Sequence, residues 1–249
     1  MIQVSTCVHQ QNPEVLEWWL RGIANLDTDG LDVCYSFILH NPLGYETELM
    51  ARYLPGVELE EVVTESAPAK RGEYTHLWGG DTVETVAEAK NCLIKKAIER
   101  GADILFCDSD QIMQPATLKI LVGHDKDICG EILWTRWKPR EAERPNAWDF
   151  ADYILSSETI KALKEAGLVR VGYIGGLLLI KHHVLKAGVD YSPVPNLTFW
   201  GEDRHLGVRA AVLGFEMWVD TQYPAFHIYR DEQLEQLPDW AKALEGTSG

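Results

Sequence analysis

Apolar residues along this chain fall into short β-rich runs that alternate with stretches of helical spacing. Val4–Val8 reads as a strand. Asn12-Pro13-Glu14 then reads as a helix start, with Asn12 as N-cap and Pro13 at the first helical position. That helix carries Val15, Leu16, Trp19, Leu20 and Ile23 on its inner side. Asp32–Leu39 predicts a second strand, Asn41-Pro42-Leu43-Gly44 a turn, the residues to about Tyr53 a helix, and Val57–Val63 a third strand. Thr64–Gly80 is a loop rich in Ala, Gly, Pro and charge. Thr82–Arg100 is the clearest helix, with Val83, Val86, Ala87, Lys90, Leu93, Ile94 and Ala97 at helical spacing. It stops at Gly101, and Ile104–Cys107 follows as a buried strand.

This alternation predicts an α/β domain, a mostly parallel central sheet with helices on both faces. Past Pro115 the pattern gives a helix to Gly123, a strand over Asp127–Trp134 and an irregular segment over Arg136–Phe150. A helix near Thr159–Ala166, a strand over Gly175–Ile180 and a helix over His182–Ala187 come next. A loop over Gly188–Trp200, a helix over Glu202–Leu213, a strand over Phe215–Asp220 and a loop carrying His227 complete the ordered pattern. The acidic tail is only weakly periodic. With no repeat and no linker composition, one domain is expected.

Composition narrows the function. Hydrophobic residues make up 46% and charged residues 24% of 249, ordinary globular values, so disorder is excluded. Twenty-three Lys and Arg against 38 Asp and Glu leave a net charge of −15, which disfavours any grip on a nucleic-acid backbone. An anionic ligand would need local positive charge or a metal. The five cysteines form no Cys-x-x-Cys pair and suit free thiols in a reducing compartment. No signal peptide is visible, and the longest uncharged apolar stretch, Val171–Ile180, is far shorter than a membrane span. A cytoplasmic protein is the expectation.

Three Asp-x-Asp triplets occur, and two of them, Asp27-Thr28-Asp29 and Asp125-Lys126-Asp127, read as solvated turns before strands. Asp108-Ser109-Asp110 instead follows a hydrophobic strand, which aims its carboxylates into the crevice where open α/β sheets bind ligands. Hard oxygen donors of this kind suit Mg²⁺ or Mn²⁺.

Ala89-Lys90-Asn91 on a helix, Gly101 through Asp108-Ser109-Asp110, and the helix after Pro115 together resemble the nucleotide-sugar half of GT-A glycosyltransferases, most closely the family-2-like group. Gly172-Tyr173-Ile174-Gly175-Gly176-Leu177 through Lys181 resembles that group's acceptor-side strand. Gly201-Glu202-Asp203 and the later His227 resemble its Glu-Asp catalytic motif and its C-terminal metal-binding histidine. The similarity covers residues 2–230, with 1–110 as the nucleotide-sugar half, 111–230 as the acceptor half and 231–249 as an acidic tail.

The resemblance implies a GT-A-type, Rossmann-like single domain that moves a sugar from a UDP- or GDP-sugar to an acceptor hydroxyl. It implies a divalent Mn²⁺ or Mg²⁺ held by Asp108, Asp110 and His227, with Asp108 also facing the ribose. Asp203 would be the general base of an inverting transfer, in a first helical turn whose dipole favours its ionised form, and Glu202 would orient it. Thr6, Val8, His9, His40, Lys90, Asn91 and Ser109 would line the nucleotide-sugar site; His76 is a weaker candidate there. Trp134, Trp137, Gly175, Gly176 and Trp200 would line the acceptor site. The acceptor class stays open among saccharides, lipid-linked sugars and peptides, as does assembly into a homo-oligomer.

Several residues keep two readings. Lys90 is either a phosphate-facing cation or a surface lysine with its stem along the helix. Lys70 and Arg71 either close over phosphates or are solvated. Trp134, Trp137, Trp148 and Trp200 either stack on sugars or belong to core and interface. One position departs from the family: its acidic Asp-x-Ser-like turn after the second strand is His40-Asn41-Pro42 here. A Mg²⁺-dependent nucleotidyltransferase and a non-catalytic nucleotide- or carbohydrate-binding module are the alternatives. The first strand, however, runs into Cys7-Val8-His9-Gln10-Gln11-Asn12, a poor triphosphate cradle.

Overall fold

The computed structural model describes residues 1–63, 80–137, 141–150, 155–165, 167–197 and 201–247. Its first half follows the hydrophobic pattern: β1 (Ile2–Val8), α1 (Pro13–Ala24), β2 (Val33–His40), α2 (Tyr45–Tyr53), β3 (Glu58–Val62), α3 (Gly80–Arg100) and β4 (Asp103–Phe106). Asn12 caps α1, its side-chain oxygen accepting from the Glu14 amide at 2.9 Å.

The second half is more broken. It runs β5 (Gln111–Ile112), α4 (Thr117–Gly123), β6 (Ile128–Thr135), β7 (Arg144–Pro145), β8 (Ala147–Trp148), α5 (Ser157–Lys164), β9 (Leu168–Val171) and β10 (Tyr173–Ile174). Then come β11 (Leu178–Ile180), α6 (His182–Lys186), α7 (Glu202–Val212), β12 (Met217–His227) and α8 (Asp239–Lys242). Two-residue strands β7 and β8 lie inside the segment read as irregular. The single strand expected over Gly175–Ile180 starts only at Leu178, because Gly176 takes a left-handed φ of 82° that no strand tolerates. β12 does not stop at Asp220; its pairing with β6 shifts register between Asp220 and Ala225, and the strand then continues to His227.

The main sheet has the order β3-β2-β1-β4-β11-β6-β12-β5, with β7 beside β6 and β9 beside β12; β8 and β10 form a separate antiparallel pair. β3, β2, β1 and β4 are parallel, as are β6 and β12. β11 lies between β4 and β6 and runs against both, with Leu178 opposite Phe106 and Gly130. That reversal brings the start of β11, and Gly175-Gly176 before it, to the edge where β4 ends. Asp108 and Gly175-Gly176 therefore share one crevice rim, the rim that binds ligands in open α/β sheets.

Alternation along the strands feeds two cores. Ile104, Phe106, Ile128, Ile132, Leu178 and Ile180 pack with α3, α6 and α7; Leu105, Cys107, Cys129, Leu133, Leu177 and Leu179 pack with α1, α2 and α4. Each such side chain, fully buried, contributes about 1.5–3 kcal/mol. A third cluster joins the chain's last residues to the body: Leu237, Ala241 and Leu244 pack with Val15 and Trp18 of α1 and with Ile112 and Ile228. No helix among the described residues is long and apolar enough to cross a membrane.

Candidate active site

Lys90 sits on the inner side of α3 and is 3% exposed. It is not a surface lysine. Its ammonium donates to Glu202 Oε1 at 2.8 Å and lies 3.6 Å from Asp108 Oδ1 and 3.8 Å from Asp203 Oδ1. Below it lies the Tyr191 ring, 4.9 Å from the ammonium. Burial alone would lower the Lys90 pKa, but the Asp108, Glu202 and Asp203 carboxylates outweigh it and hold it well above the ordinary lysine value. One buried cation thus stands among three acids drawn from β4 and α7.

Asp203 lies in the first turn of α7. Its Oδ2 is packed so tightly on Gly175 that a Cβ there would stand 2.5 Å away, and 3.5 Å from the Trp148 ring. Trp148 is held by stacking on Tyr173 at 5.1 Å. Burial first, and then the adjacent Glu202 carboxylate, hold the Asp203 carboxyl well above the usual carboxylate range, while Lys90 opposes them. Asn91, the neighbour of Lys90, accepts from the Tyr191 amide at 2.8 Å and donates to Ser192 Oγ at 3.1 Å, so it fixes the loop that supports the lysine.

Asp108-Ser109-Asp110 turns tightly after β4, the Gln111 amide donating to the Asp108 carbonyl at 3.0 Å. The triplet splits. Asp108 faces Lys90, and the crevice walls push its carboxyl up to about 6 against that pull, although 44% of the side chain stays open. Asp110 faces His227, with Oδ2 and Nε2 3.3 Å apart. Because β12 runs on past its bulge, His227 pairs with Gln111 in β5 instead of lying in a loop. Its other ring nitrogen hydrogen-bonds Thr135 Oγ1 at 2.7 Å, which fixes the ring. Gln111 links the two groups: its amide nitrogen reaches Asp108 Oδ2 at 3.4 Å and it packs against Gly176.

Among the described residues no three His, Cys, Asp or Glu gather as a metal cage. Asp110 and His227 nevertheless have the right chemistry and spacing for two adjacent positions on a six-coordinate ion. Two such ligands, each about 2.1 Å from the ion, lie about 3 Å apart. The other positions would fall to ligand oxygens and water.

At the rim beside β4, Thr6 is buried within β1 and Val8 ends it. His9 meets His40 edge to face at 4.9 Å, across the ends of β1 and β2. Burial lowers both histidines' pKa values; His40 adds to the effect on His9 and Glu46 opposes it. Ser109 is buried in its turn. Trp137 lies against Tyr229 at 5.2 Å, and Tyr229 lies against His227 at 5.4 Å, which puts this tryptophan beside the Asp110–His227 pair. Trp134 faces a separate hollow, Lys164 lying 5.5 Å over its ring. Trp200, Lys70, Arg71 and His76 lie outside the described residues. Tyr191 and Gln111 carry no local sequence signal beyond Gln111 directly following the triplet.

No family model matches the sequence, and no curated protein matches it. Solved structures match at 14% identity. A mannosyltransferase from Pyrobaculum calidifontis, solved with GDP-mannose and Mn²⁺, aligns over 92% of this chain and 57% of its own with a TM-score of 0.58. GalNAc-T7 with UDP, GalNAc and Mn²⁺ aligns over 92% and 44% with a TM-score of 0.64, and S. aureus TarS with UDP-GlcNAc over 90% and 57% with a TM-score of 0.56. The fold is that of the GT-A glycosyltransferases. The chain spans about half the length of these structures.

Proposed function

We propose that this GT-A chain moves a sugar from a nucleoside-diphosphate sugar, UDP- or GDP-linked, onto an acceptor hydroxyl with inversion. The observation that carries this reading is the single row of side chains along the crevice rim. Asp203 stands on Gly175 at one end, Lys90 and Asp108 in the middle, and Asp110 with His227 at the other. A base at one end and donors for a cation at the other are the two things that displacement of a diphosphate requires.

Asp203 accepts the proton of the acceptor hydroxyl as that oxygen attacks the anomeric carbon. Its raised proton affinity strengthens it as a base once ionised, and Lys90 supplies the opposing positive charge. Glu202 anchors Lys90 and so fixes the distance between cation and base. Asp110 and His227 would hold a divalent ion, which would supply Lewis-acid stabilisation of the departing diphosphate. In a chain of net charge −15 such a cation is needed for any diphosphate to approach. The ligands named with the similar structures, GDP-mannose, UDP with GalNAc, and UDP-GlcNAc, support a nucleotide-sugar donor. The acceptor is a hydroxyl on a saccharide, a lipid-linked saccharide or a peptide.

Calorimetric titration of UDP and of GDP, each with and without Mn²⁺, followed by a screen of their sugars for slow hydrolysis, tests the reading. Metal-dependent nucleotide binding with release of free sugar is expected. Binding of neither nucleotide, or consumption of a nucleoside triphosphate with release of pyrophosphate, would overturn it.

A further inference from the structure

Outside the row just described, a second hollow of about 350 Å³ opens at the end of β6. Its walls are Trp134, Arg136 and Glu143, the buried Leu163, Lys164 at the end of α5, and Thr221 from the bulge of β12. That volume lies within the range of small-ligand sites, roughly 300–1,000 Å³. Its charge is unusual for so acidic a chain. Glu143 is already paired with Arg136 at 3.2 Å, and among the described residues no carboxylate lies within ion-pair distance of Lys164. Two cations thus face one acid, and the hollow carries a net positive charge inside a strongly negative molecule.

The aromatic floor sharpens the choice of ligand. Lys164 lies over one face of the Trp134 indole, so plain stacking of a neutral sugar is not what this hollow offers. It offers an apolar ring edge rimmed by two cations. The Thr221 hydroxyl is committed to the Glu165 and Gly167 carbonyls at 2.6 and 3.1 Å and shapes the wall.

Its place relative to Asp203 follows from the strands. Asp203 packs on Gly175; the Gly175 amide donates to the Asn146 carbonyl at 2.8 Å; and Asn146 follows Pro145, which pairs with Trp134. Two strand spacings, on the order of 10 Å, separate base from hollow. That is about one sugar residue beyond the reacting one. Trp134, Leu163 and Trp148 all pack in the core cluster that also holds Leu206 and Ala210 of α7, the helix whose first turn carries Asp203.

We infer that this hollow is a distal acceptor subsite for an acidic sugar residue, one whose carboxylate or phosphate lies between Lys164 and Arg136. The inference rests on the transferase reading for the word acceptor, but the binding itself can be tested without turnover. The Trp134 indole N–H resonance, assigned by its loss in Trp134→Phe, is followed while trigalacturonic acid is added to the full chain. A saturable shift is expected with the acid and none with its methyl ester, which has the same shape without the charge. Lys164→Gln should weaken the acid's binding at least tenfold while leaving nucleotide affinity unchanged. A larger or tighter response to glucose 6-phosphate than to galacturonate would support the subsite and identify phosphate as the acidic group. Equal shifts from acid and ester, or no shift from either acid, would overturn the subsite. An acid-specific shift in a protein that hydrolyses no nucleotide sugar supports the binding site and overturns only the transferase reading.

Discussion

Asp203 and Gly175 touch so closely that no side chain fits between them; a Cβ at position 175 would stand 2.5 Å from Oδ2 of the carboxylate. The far end of a side chain moves more readily than a backbone, so Gly175→Ala should displace the carboxylate and leave the sheet intact. Displacing a reacting group by an ångström costs about 10²-fold in rate. Turnover should therefore fall by about that factor while UDP affinity and the melting temperature stay near native. A Gly175→Ala protein that turns over normally would remove Asp203 from the reacting site.

Asp203→Asn keeps the shape and removes the base. Turnover should drop by about 10²–10⁴ with donor affinity nearly unchanged. The product's anomeric configuration, read by NMR in the native protein, is the companion measurement. An inverted product agrees with a base at Asp203, and a retained one contradicts it whatever the variant does.

The Asp110–His227 contact makes a graded prediction. Asp110→Ala should abolish metal-dependent UDP binding, and His227→Ala should weaken it less, since the aspartate is the charged donor of the two. Calorimetry with Mn²⁺ present and absent reads both. Tight Mn²⁺-dependent UDP binding in Asp110→Ala would place the ion elsewhere.

Lys90→Met tests the buried cation. Removing it leaves Glu202, Asp203 and Asp108 facing one another without compensation, a change that costs about 3–5 kcal/mol. For a chain this long each kcal/mol moves the melting temperature by about 2–4 °C. A thermal melt should fall by about 6–20 °C, and adding Glu202→Gln should recover part of the loss. An unchanged melt would mean that the carboxylates are already neutral without Lys90.

Glu131 gives a pH prediction outside the row of site side chains. It is 2% exposed in β6, and burial pushes its carboxyl up to about 8 from an ordinary 4.5; Asp220 adds to the rise and Thr117 opposes it. The folded chain holds this proton more tightly than the unfolded one, so the residue's contribution to stability declines as pH rises from about 4.5 to about 8 and is flat beyond. Glu131→Gln carries no such proton. Its stability relative to native should improve between pH 5 and pH 8 by on the order of 2–4 kcal/mol in urea unfolding. Parallel pH curves for the two proteins would refute the shifted carboxyl.

The first half was legible because its elements carry a period: α3 repeats its apolar positions over about four turns, and β1, β2 and β4 sit between clear breakers. The second half was harder to read for the converse reason. β5, β7, β8 and β10 are two residues each, too short for any alternation to register, and the bulge after Asp220 hides the continuation of β12. Asp108, Asp110, Asp203 and His227 stand out locally, each beside a glycine, a strand end or a helix start. Lys90 does not, because what decides its role is Glu202, 112 positions away. Tyr191 is similar: an aromatic residue in a loop, whose neighbours come from α3, α7 and the end of β4, where it meets Phe106 edge to face at 5.5 Å.

The reversed strand β11 has a consequence for how the chain is made. While residues up to Phe106 are being synthesised, β4 can pair with β1, but its other edge faces nothing until Leu178–Ile180 arrive some seventy residues later. Until then β6 has no bridge to the nascent half-sheet, and β12 closes its far side later still. An unpaired hydrophobic edge, with Ile104 and Phe106 on one face and Leu105 on the other, is a template for pairing with another chain. A fragment ending at residue 110 should accordingly aggregate. On the ribosome, the interval between translation of β4 and of β11 is when this protein most needs a chaperone.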